Sequence, residues 1–379
     1  MPHQRLLWVK KNLIRQRDNL KLLKRILIVL LSILVLLLLI VYFTTFHPSE
    51  LQEASVNCES NAPILDGGKQ IKLLSWNVQY FAGKNRVFWY DVPDESGPDT
   101  APSREEVENT LKKVANVILE QNPDFVLFQE VDDGAKKTYS EDQSERILPL
   151  LSDLYPCRTE AFYWKAGFVP HPKILGSVGM KLTIFSKYKI VSALRHQLPT
   201  PPADPITQQL QLKRAVLQAD IATHDGKTVT LLNTHLDAFS MGTDTMHRQV
   251  RFIENLLETL DAKKMPWILA GDFNLLPPGF SRGQLHPNGA FFYSDEEEIS
   301  PIFQKWNSTV SLEELNGPNK EKFFTHVPND PQIAKPDRTI DYIFYSKGLA
   351  KKEYKVLQEG EAADASDHLP LEATFSQEE

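Results

Sequence analysis

Five apolar runs in this chain end on side chains able to hold a cation, move a proton or donate to a developing negative charge. Residues 71–76 end at Asn77, 125–128 run into Glu130, 228–232 into His235, and 267–270 into Asp272 and Asn274, while a C-terminal stretch carries Asp367-His368. A hard divalent cation such as Mg²⁺ takes carboxylate and amide oxygens and completes its shell with water, which Asn77, Glu130 and Asp367 can offer. Hydrolysis of a phosphate ester needs a deprotonated water, and a histidine whose tautomer is fixed by a carboxylate supplies a base at neutral pH. His368 with Asp341 has that chemistry. A second imidazole and an amide nitrogen, His235 and Asn274, can donate to oxygens whose charge grows in the transition state. Taken singly, each residue reads first as the solvated group just beyond a buried strand. Together, and with no lysine among them, they point to loops on one sheet edge that converge on a cleft.

Strands must position these groups, and helices must join the strands. Ser103 and Glu106 form a capping box, Val107, Leu111, Val114 and Ile118 follow at helical spacing, and Asn122-Pro123 stops the helix just before the run at 125–128. Val250, Ile253, Leu256, Leu257 and Leu260 repeat the pattern before the run at 267–270. Alternation of strand and helix suggests a parallel, doubly wound sheet. The turn signal Asp225-Gly226 and further apolar runs at 182–185, 215–221 and 340–345 suggest a mixed sheet instead, and composition leaves both open.

The order of the motifs is more specific than any one of them. Ser75-Trp76-Asn77-Val78, Phe128-Gln129-Glu130-Val131, Asn233-Thr234-His235-Leu236, Gly271-Asp272-Phe273-Asn274, Ile340-Asp341-Tyr342-Ile343 and Ser366-Asp367-His368-Leu369-Pro370 together resemble the endonuclease/exonuclease/phosphatase superfamily, over residues 71–375. The resemblance implies an α/β fold: a four-layer α/β/β/α sandwich of two mixed sheets with the site at one rim. It implies a metal-dependent hydrolase of phosphate esters, with Mg²⁺ or Mn²⁺ held by Glu130, Asn77 and Asp367. Asp341 would orient His368, Asp272 and Asn274 would position the attacking water and the phosphate, and His235 would bind a phosphate oxygen. Whether the water's proton goes to His368 or Asp272, and whether one or two metals act, is left open by the resemblance.

Ahead of this domain, Ile26 to Phe46 is a run of 21 uncharged residues, which as a helix spans about 31 Å, enough to cross a bilayer core. The run is longer than a signal peptide's apolar region and is followed by no small-residue cleavage motif, so it reads as an uncleaved anchor. Eight Lys/Arg precede it, which predicts a cytoplasmic N-terminus and an extracytoplasmic catalytic domain. The expected organisation is a basic cytoplasmic segment (1–25), an anchor (26–46), a polar tether (47–70) and the phosphoesterase domain (71–379).

Charge bears on the substrate. Residues 1–50 hold eight Lys/Arg against Asp18 and Glu50, and the remainder carries −13 of a chain whose total is −7. So acidic a body argues against gripping a polyphosphate backbone by bulk charge. With the anchor, this favours a phospholipid or sphingomyelin-type headgroup diester. An extracytoplasmic nuclease, an inositol-phosphate-type phosphomonoesterase and a catalytically dead anchored binding protein are the alternatives. Arg214, just before an expected strand, reads either as a phosphate contact or as a solvated strand end. The aromatic triplets Phe88-Trp89-Tyr90, Phe162-Tyr163-Trp164 and Phe291-Phe292-Tyr293 are expected in loops. Cys58 and Cys157 are open to a disulfide or to two free thiols. The stretch 275–338 is the least legible, and no protein partner can be inferred.

Overall fold

Apolar runs without polar alternation need burial on both faces, and neighbouring residues here do face opposite layers. Leu73, Leu231 and Ile268 join one buried cluster, Leu74 a second, and Leu232 and Leu269 a third. The computed structural model describes residues 2–238 and 240–377, with side chains from residue 7 onward. It divides into two units, residues 1–46 and 47–379.

The first unit is a helix, α1 (Pro2–Thr44), in which the basic segment and the apolar run are continuous; by length and composition it could cross a membrane. The second unit contains strands β1 (Leu51–Glu53), β2 (Ser55–Cys58), β3 (Ile71–Asn77), β4 (Phe125–Asp132), β5 (Cys157–Val169), β6 (Gly176–Ser186) and β7 (Ile190–Gln197). These are followed by β8 (Ala215–Ala222), β9 (Thr228–His235), β10 (Trp267–Asp272), β11 (Asn307–Ser308), β12 (Asp341–Tyr345), β13 (Leu349–Val356) and β14 (Leu371–Gln377). Two long helices, α2 (Arg104–Gln121) and α3 (Thr245–Ala262), join β3 to β4 and β9 to β10.

The strands form two seven-stranded sheets, β13-β14-β3-β4-β6-β5-β2 and β1-β7-β8-β9-β10-β12-β11. Among the named strands, β3/β4 and β9/β10 pair in parallel and the other neighbours antiparallel, so both sheets are mixed. Each parallel pair is the one spanned by a long helix, as a crossover connection requires. The helix spacing thus read two βαβ units correctly, and the Asp225-Gly226 turn supplies the antiparallel β8–β9 hairpin. Gly226 sits there at φ 76°, where a Cβ would be strained.

Phe125, Ile184, Leu217 and Ile268 lie in the core shared by the two sheets, Val107, Leu111 and Val114 of α2 pack on Val126 and Phe128, and Val250, Ile253 and Leu257 of α3 pack on Leu232 and Leu269. The layers are α/β/β/α. Helix α2 begins with the expected capping box, in which Ser103 Oγ accepts from Glu106 N at 3.2 Å and Glu106 Oε2 from Ser103 N at 2.7 Å. It ends at Asn122 in the left-handed conformation.

Two expectations are corrected. The segment 47–70 is not a free tether: β1 pairs with β7 in one sheet, β2 pairs with β5 in the other, and Cys58 is disulfide-bonded to Cys157 directly across the β2/β5 ladder. Strands of three and four residues are too short to leave a period-2 signature, and their stability comes from sheet edges far along the chain. The triplet Phe162-Tyr163-Trp164 lies inside β5, with Tyr163 fully buried; an aromatic cluster reads as strand or loop with equal ease until its partner strand is known.

Candidate active site

Sheet register brings the chemistry together. In the second sheet Asp272 is the parallel partner of His235 and the antiparallel partner of Asp341. In the first, Asn77 is the parallel partner of Gln129, and Leu371, three residues after His368, pairs with Ser75. Asn77, Glu130, His235 and Asp272 therefore lie at or near the C-terminal ends of the four parallel strands, the edge where α/β sheets place ligands. Two local devices sharpen this. A bulge in β4 between Phe128 and Val131 releases Glu130 into the left-handed region at φ 59°, a strained conformation typical of functional positions. Gly271 lets β9 approach β10, since a Cβ there would stand 2.0 Å from the Thr234 carbonyl oxygen.

Asp272 Oδ2 is the common point. Asn77 Nδ2 donates to it at 3.0 Å, His235 Nε2 stands at 3.3 Å and His368 Nε2 at 3.6 Å. Asn77 Nδ2 also donates to Glu130 Oε1 at 3.1 Å, and its Oδ1 accepts from the Gln79 backbone N–H. As oriented, Asn77 is a donor between two carboxylates, and its amide oxygen is engaged elsewhere. Asp341 accepts from His368 Nδ1 at 2.9 Å and from Thr325 Oγ1 at 2.7 Å, leaving Nε2 as the ring atom aimed at Asp272. Asn274, at φ 52°, donates its backbone N–H to Asp272 Oδ1 and its Nδ2 to the Leu236 carbonyl. Asp367 accepts from Gln79 Nε2 at 3.0 Å and from Ser366 Oγ.

All eight expected side chains thus reach one rim, in two overlapping groups. His368 is common to two clusters of ligand-type side chains, one with Asp272 and Asp341, the other with His326 and Asp367. Glu130 joins neither cluster and is tied in through Asn77 and, at 3.9 Å, His235.

The electrostatics follow from burial. Burial raises the Glu130 carboxyl, and the charge of Asp367 raises it further against the opposing Lys137. Asp272 is pushed up by burial, partly countered by His368. Burial would lower His368, but Asp341 and Asp272 outweigh it and keep the imidazole protonated. His235 is held well below the usual range by burial, with Arg214 and His368 adding to the effect, so it is neutral. For Asp367 burial acts upward, yet His326, His368 and Lys84 together hold it well below the carboxylate range. Glu130 and Asp367 are hard oxygen donors that repel one another, a situation a divalent cation relieves. This donor chemistry fits such an ion.

Several groups at the site escape sequence reasoning. Gln129 Nε2 donates to Asn233 Oδ1 at 2.7 Å, and Asn233 Nδ2 donates to the Phe128 and Thr183 carbonyls, joining the two sheets beneath the site. Both residues lie in the motifs but read there as strand ends. Gln79, Tyr80 and Phe81 are consecutive left-handed residues at φ 43°, 42° and 56°, a strained turn that carries Gln79 to Asp367. Tyr163 Oη lies 3.4 Å from His235 Nδ1; His235 Nε2 faces the acceptor Asp272 Oδ2 at 3.3 Å, which places the ring proton on Nε2 and makes the phenol, kept protonated by burial, the donor to Nδ1. The His326 ring lies 4.6 Å from that of His368, tilted by 57° to it, with no sequence signal of its own. Arg214 is 3% exposed, lies 5.1 Å over the Tyr163 ring, and has no hydrogen-bond partner at Nε or Nη1.

The family model described as the endonuclease/exonuclease/phosphatase family matches residues 74–368, which contain all of these groups. The chain belongs to this family. Enzymes of this family are metal-dependent phosphoesterases. A UPF0294 protein of Vibrio campbellii is 27% identical over 169 residues, 44% of this chain and 46% of that protein. The chain thus spans about half the length of this relative. Among solved structures, an endonuclease/exonuclease/phosphatase protein from Beutenbergia cavernae has a TM-score of 0.57 at 21% identity, covering 82% of this chain and 72% of that one. The human Nocturnin catalytic domain with bound sulfate has a TM-score of 0.51 at 20% identity, covering 86% and 98%. At these identities the likeness is one of fold.

Proposed function

We propose that the protein is a membrane-anchored, Mg²⁺-dependent phosphodiesterase acting on the headgroup diester of a phospholipid or sphingomyelin-type lipid. The observation that carries this reading is the convergence on Asp272 Oδ2 of Asn77, His235 and His368, with Glu130 and Asp367 alongside. Glu130 and Asp367 would hold the ion, with Asn77 joining them if its amide turns its oxygen toward Glu130. When bound, the ion supplies positive charge to the phosphate and lowers the pKa of water. Mn²⁺ would satisfy the same hard donors.

The protein's own groups divide the remaining work. Asp341 fixes His368 with Nε2 toward the reacting centre. Asp272 and His368, adjacent and shifted in pKa, handle the proton of the attacking water. Asn274 shapes the Asp272 carboxylate through its backbone N–H. Neutral His235, its tautomer set by Tyr163, can donate to a phosphate oxygen, and Arg214 offers a buried cation with unused donors for the same phosphate. As the water oxygen bonds to phosphorus, the ester P–O bond breaks and a proton passes to the departing alkoxide.

Helix α1 supports the lipid assignment. Its eight Lys/Arg precede the apolar run, consistent with a cytoplasmic N-terminus and an outward catalytic body. That body begins at His47, three residues beyond the helix's last residue, Thr44. The test is the full-length protein reconstituted in phospholipid and sphingomyelin vesicles with Mg²⁺, with release of the water-soluble headgroup measured beside nicking of plasmid DNA. Headgroup release abolished by chelation and by Glu130→Gln is expected. DNA cleavage with intact lipid would replace the lipid reading with a nuclease.

A further inference from the structure

Helix α1 (Pro2–Thr44) runs unbroken from the basic segment into the apolar run. At about 1.5 Å per residue, the part ahead of Ile26 extends about 36 Å along the axis of the run. That part carries an apolar stripe: Val9, Leu13, Leu20 and Leu23 are all exposed. With Gln16 they recur at alternating spacings of four and three, so that Leu13 and Leu20 fall at a, and Val9, Gln16 and Leu23 at d, of one heptad frame. The other positions from Lys10 to Arg25 are polar apart from Ile14 and Leu22. The frame continues without interruption into the apolar run, where Leu27 and Leu34 fall at a and Leu30 and Leu37 at d. A stripe confined to a and d is the seam of a helix that meets another helix, whereas a helix lying on a core or on lipid needs a broader apolar face.

Charge identifies the other helix. The e positions beside the seam are the cations Lys10, Arg17 and Lys24, and the facing g positions are the amides Asn12 and Asn19. In an antiparallel pair of two copies e would face e, and cation would meet cation. In a parallel pair g faces the e of the following heptad, so the Asn12 and Asn19 amide oxygens accept from Arg17 and Lys24 of the second copy. Two copies whose apolar runs cross one bilayer in the same sense are held parallel in any case. Gln16 then faces its own counterpart, and a single polar pair in an apolar seam fixes register and the number of strands. Lys11 and Arg25 stand at f, opposite the seam, where a helix lying on the bilayer would turn them away from the headgroups. Such a helix would also have to break from the run at Ile26, and α1 does not.

We infer that α1 pairs in parallel with α1 of a second copy, in a left-handed coiled coil that starts at Val9 and continues into the apolar run, making the protein a homodimer in the membrane. The inference takes the anchor from the reading above and is independent of the phosphoester chemistry.

The test is cysteine cross-linking of the full-length protein reconstituted in vesicles of phosphatidylcholine and phosphatidylglycerol. Cys58 and Cys157 are bonded to each other and the chain has no further cysteine, so each single-cysteine variant carries one free thiol. Under mild oxidation Leu13→Cys, Gln16→Cys and Leu20→Cys should form disulfide dimers about tenfold or more faster than Lys11→Cys and Asp18→Cys at f, whose Cβ atoms stand too far apart across the pair. Leu20→Glu places a charge in the seam and should raise the dimer dissociation constant, measured by light scattering in detergent, about tenfold or more, while Lys11→Gln leaves it unchanged. Gln16→Cys, a mild change on an exposed helix, keeps the test decisive if Leu20→Glu fails to fold. Equal cross-linking at seam and f positions, or monomer mass at every concentration, overturns the inference. So do seam thiols that stay uncross-linked in these vesicles and are shielded from a water-soluble maleimide, which would place the helix on the lipid surface. Protein that alkaline washing strips from the vesicles lacks the anchor, and overturns that reading as well.

Discussion

Arg214→Met should make the protein more stable and much less active. The guanidinium is 3% exposed, with Nε and Nη1 unpartnered and no ion pair among the described residues. Burying a cation without a counter-charge costs several kcal/mol after relaxation. Its position 5.1 Å over the Tyr163 ring returns about 0.5–2 kcal/mol. Methionine retains most of the apolar stem and removes the desolvated charge, for a net gain of about 1–3 kcal/mol, or about 1–4 °C in Tm for a body of this size. If Arg214 binds the phosphate, losing a preorganised donor lowers kcat/KM about 10²–10³-fold. Thermal melts of full-length protein in detergent, with and without inorganic phosphate, and kinetics on bis(p-nitrophenyl) phosphate give both numbers. Phosphate should raise Tm in the wild type and do so less in the variant. A variant that is less stable yet fully active would refute the reasoning, because it would make Arg214 a structural cation satisfied by the fold.

Asp341→Asn removes the carboxylate that accepts from His368 Nδ1 at 2.9 Å and should lower kcat about 10²–10⁴-fold with little change in KM, as steady-state kinetics will record; an equal rise in KM would argue for a binding role instead. Opening the Cys58–Cys157 bond, which closes a sequence separation of 99, by Cys→Ser substitution should destabilise the body by about 2–5 kcal/mol in urea unfolding. An unchanged midpoint would mean that β1 and β2 are held without it. Glu106, hydrogen-bonded to Arg86 above all, is held down at about 2 from its ordinary 4.5. A depressed carboxyl contributes stability that is full above its unfolded pKa and is lost as pH falls through the folded one, so stability should decline between about pH 4.5 and 2. Glu106→Gln should flatten that decline by roughly 1–3 kcal/mol in acid-unfolding titrations, and an identical slope would remove the pair from the account.

The helix of residues 104–121 was legible because its cap, spacing and stop are all local, and the six motifs were legible because their order is a property of the chain. Their meeting was not. Asp272 lies beside His235 and Asp341 through inter-strand register, and that register is chosen by pairing across the whole sheet. The sequence alone determined which residues carry acid, amide and imidazole groups, and that strands and helices separate them. Tertiary structure decided the rest. It turned the Asn77 amide nitrogen toward two carboxylates, drew residues 47–70 into both sheets, buried Arg214 with no ion pair among the described residues and assembled a cavity from residues 90–91, 288–293 and 326–338. Each of these depends on contacts between segments remote in the chain, whose energies are fixed by packing and desolvation after collapse and leave no periodic trace in the order of residues.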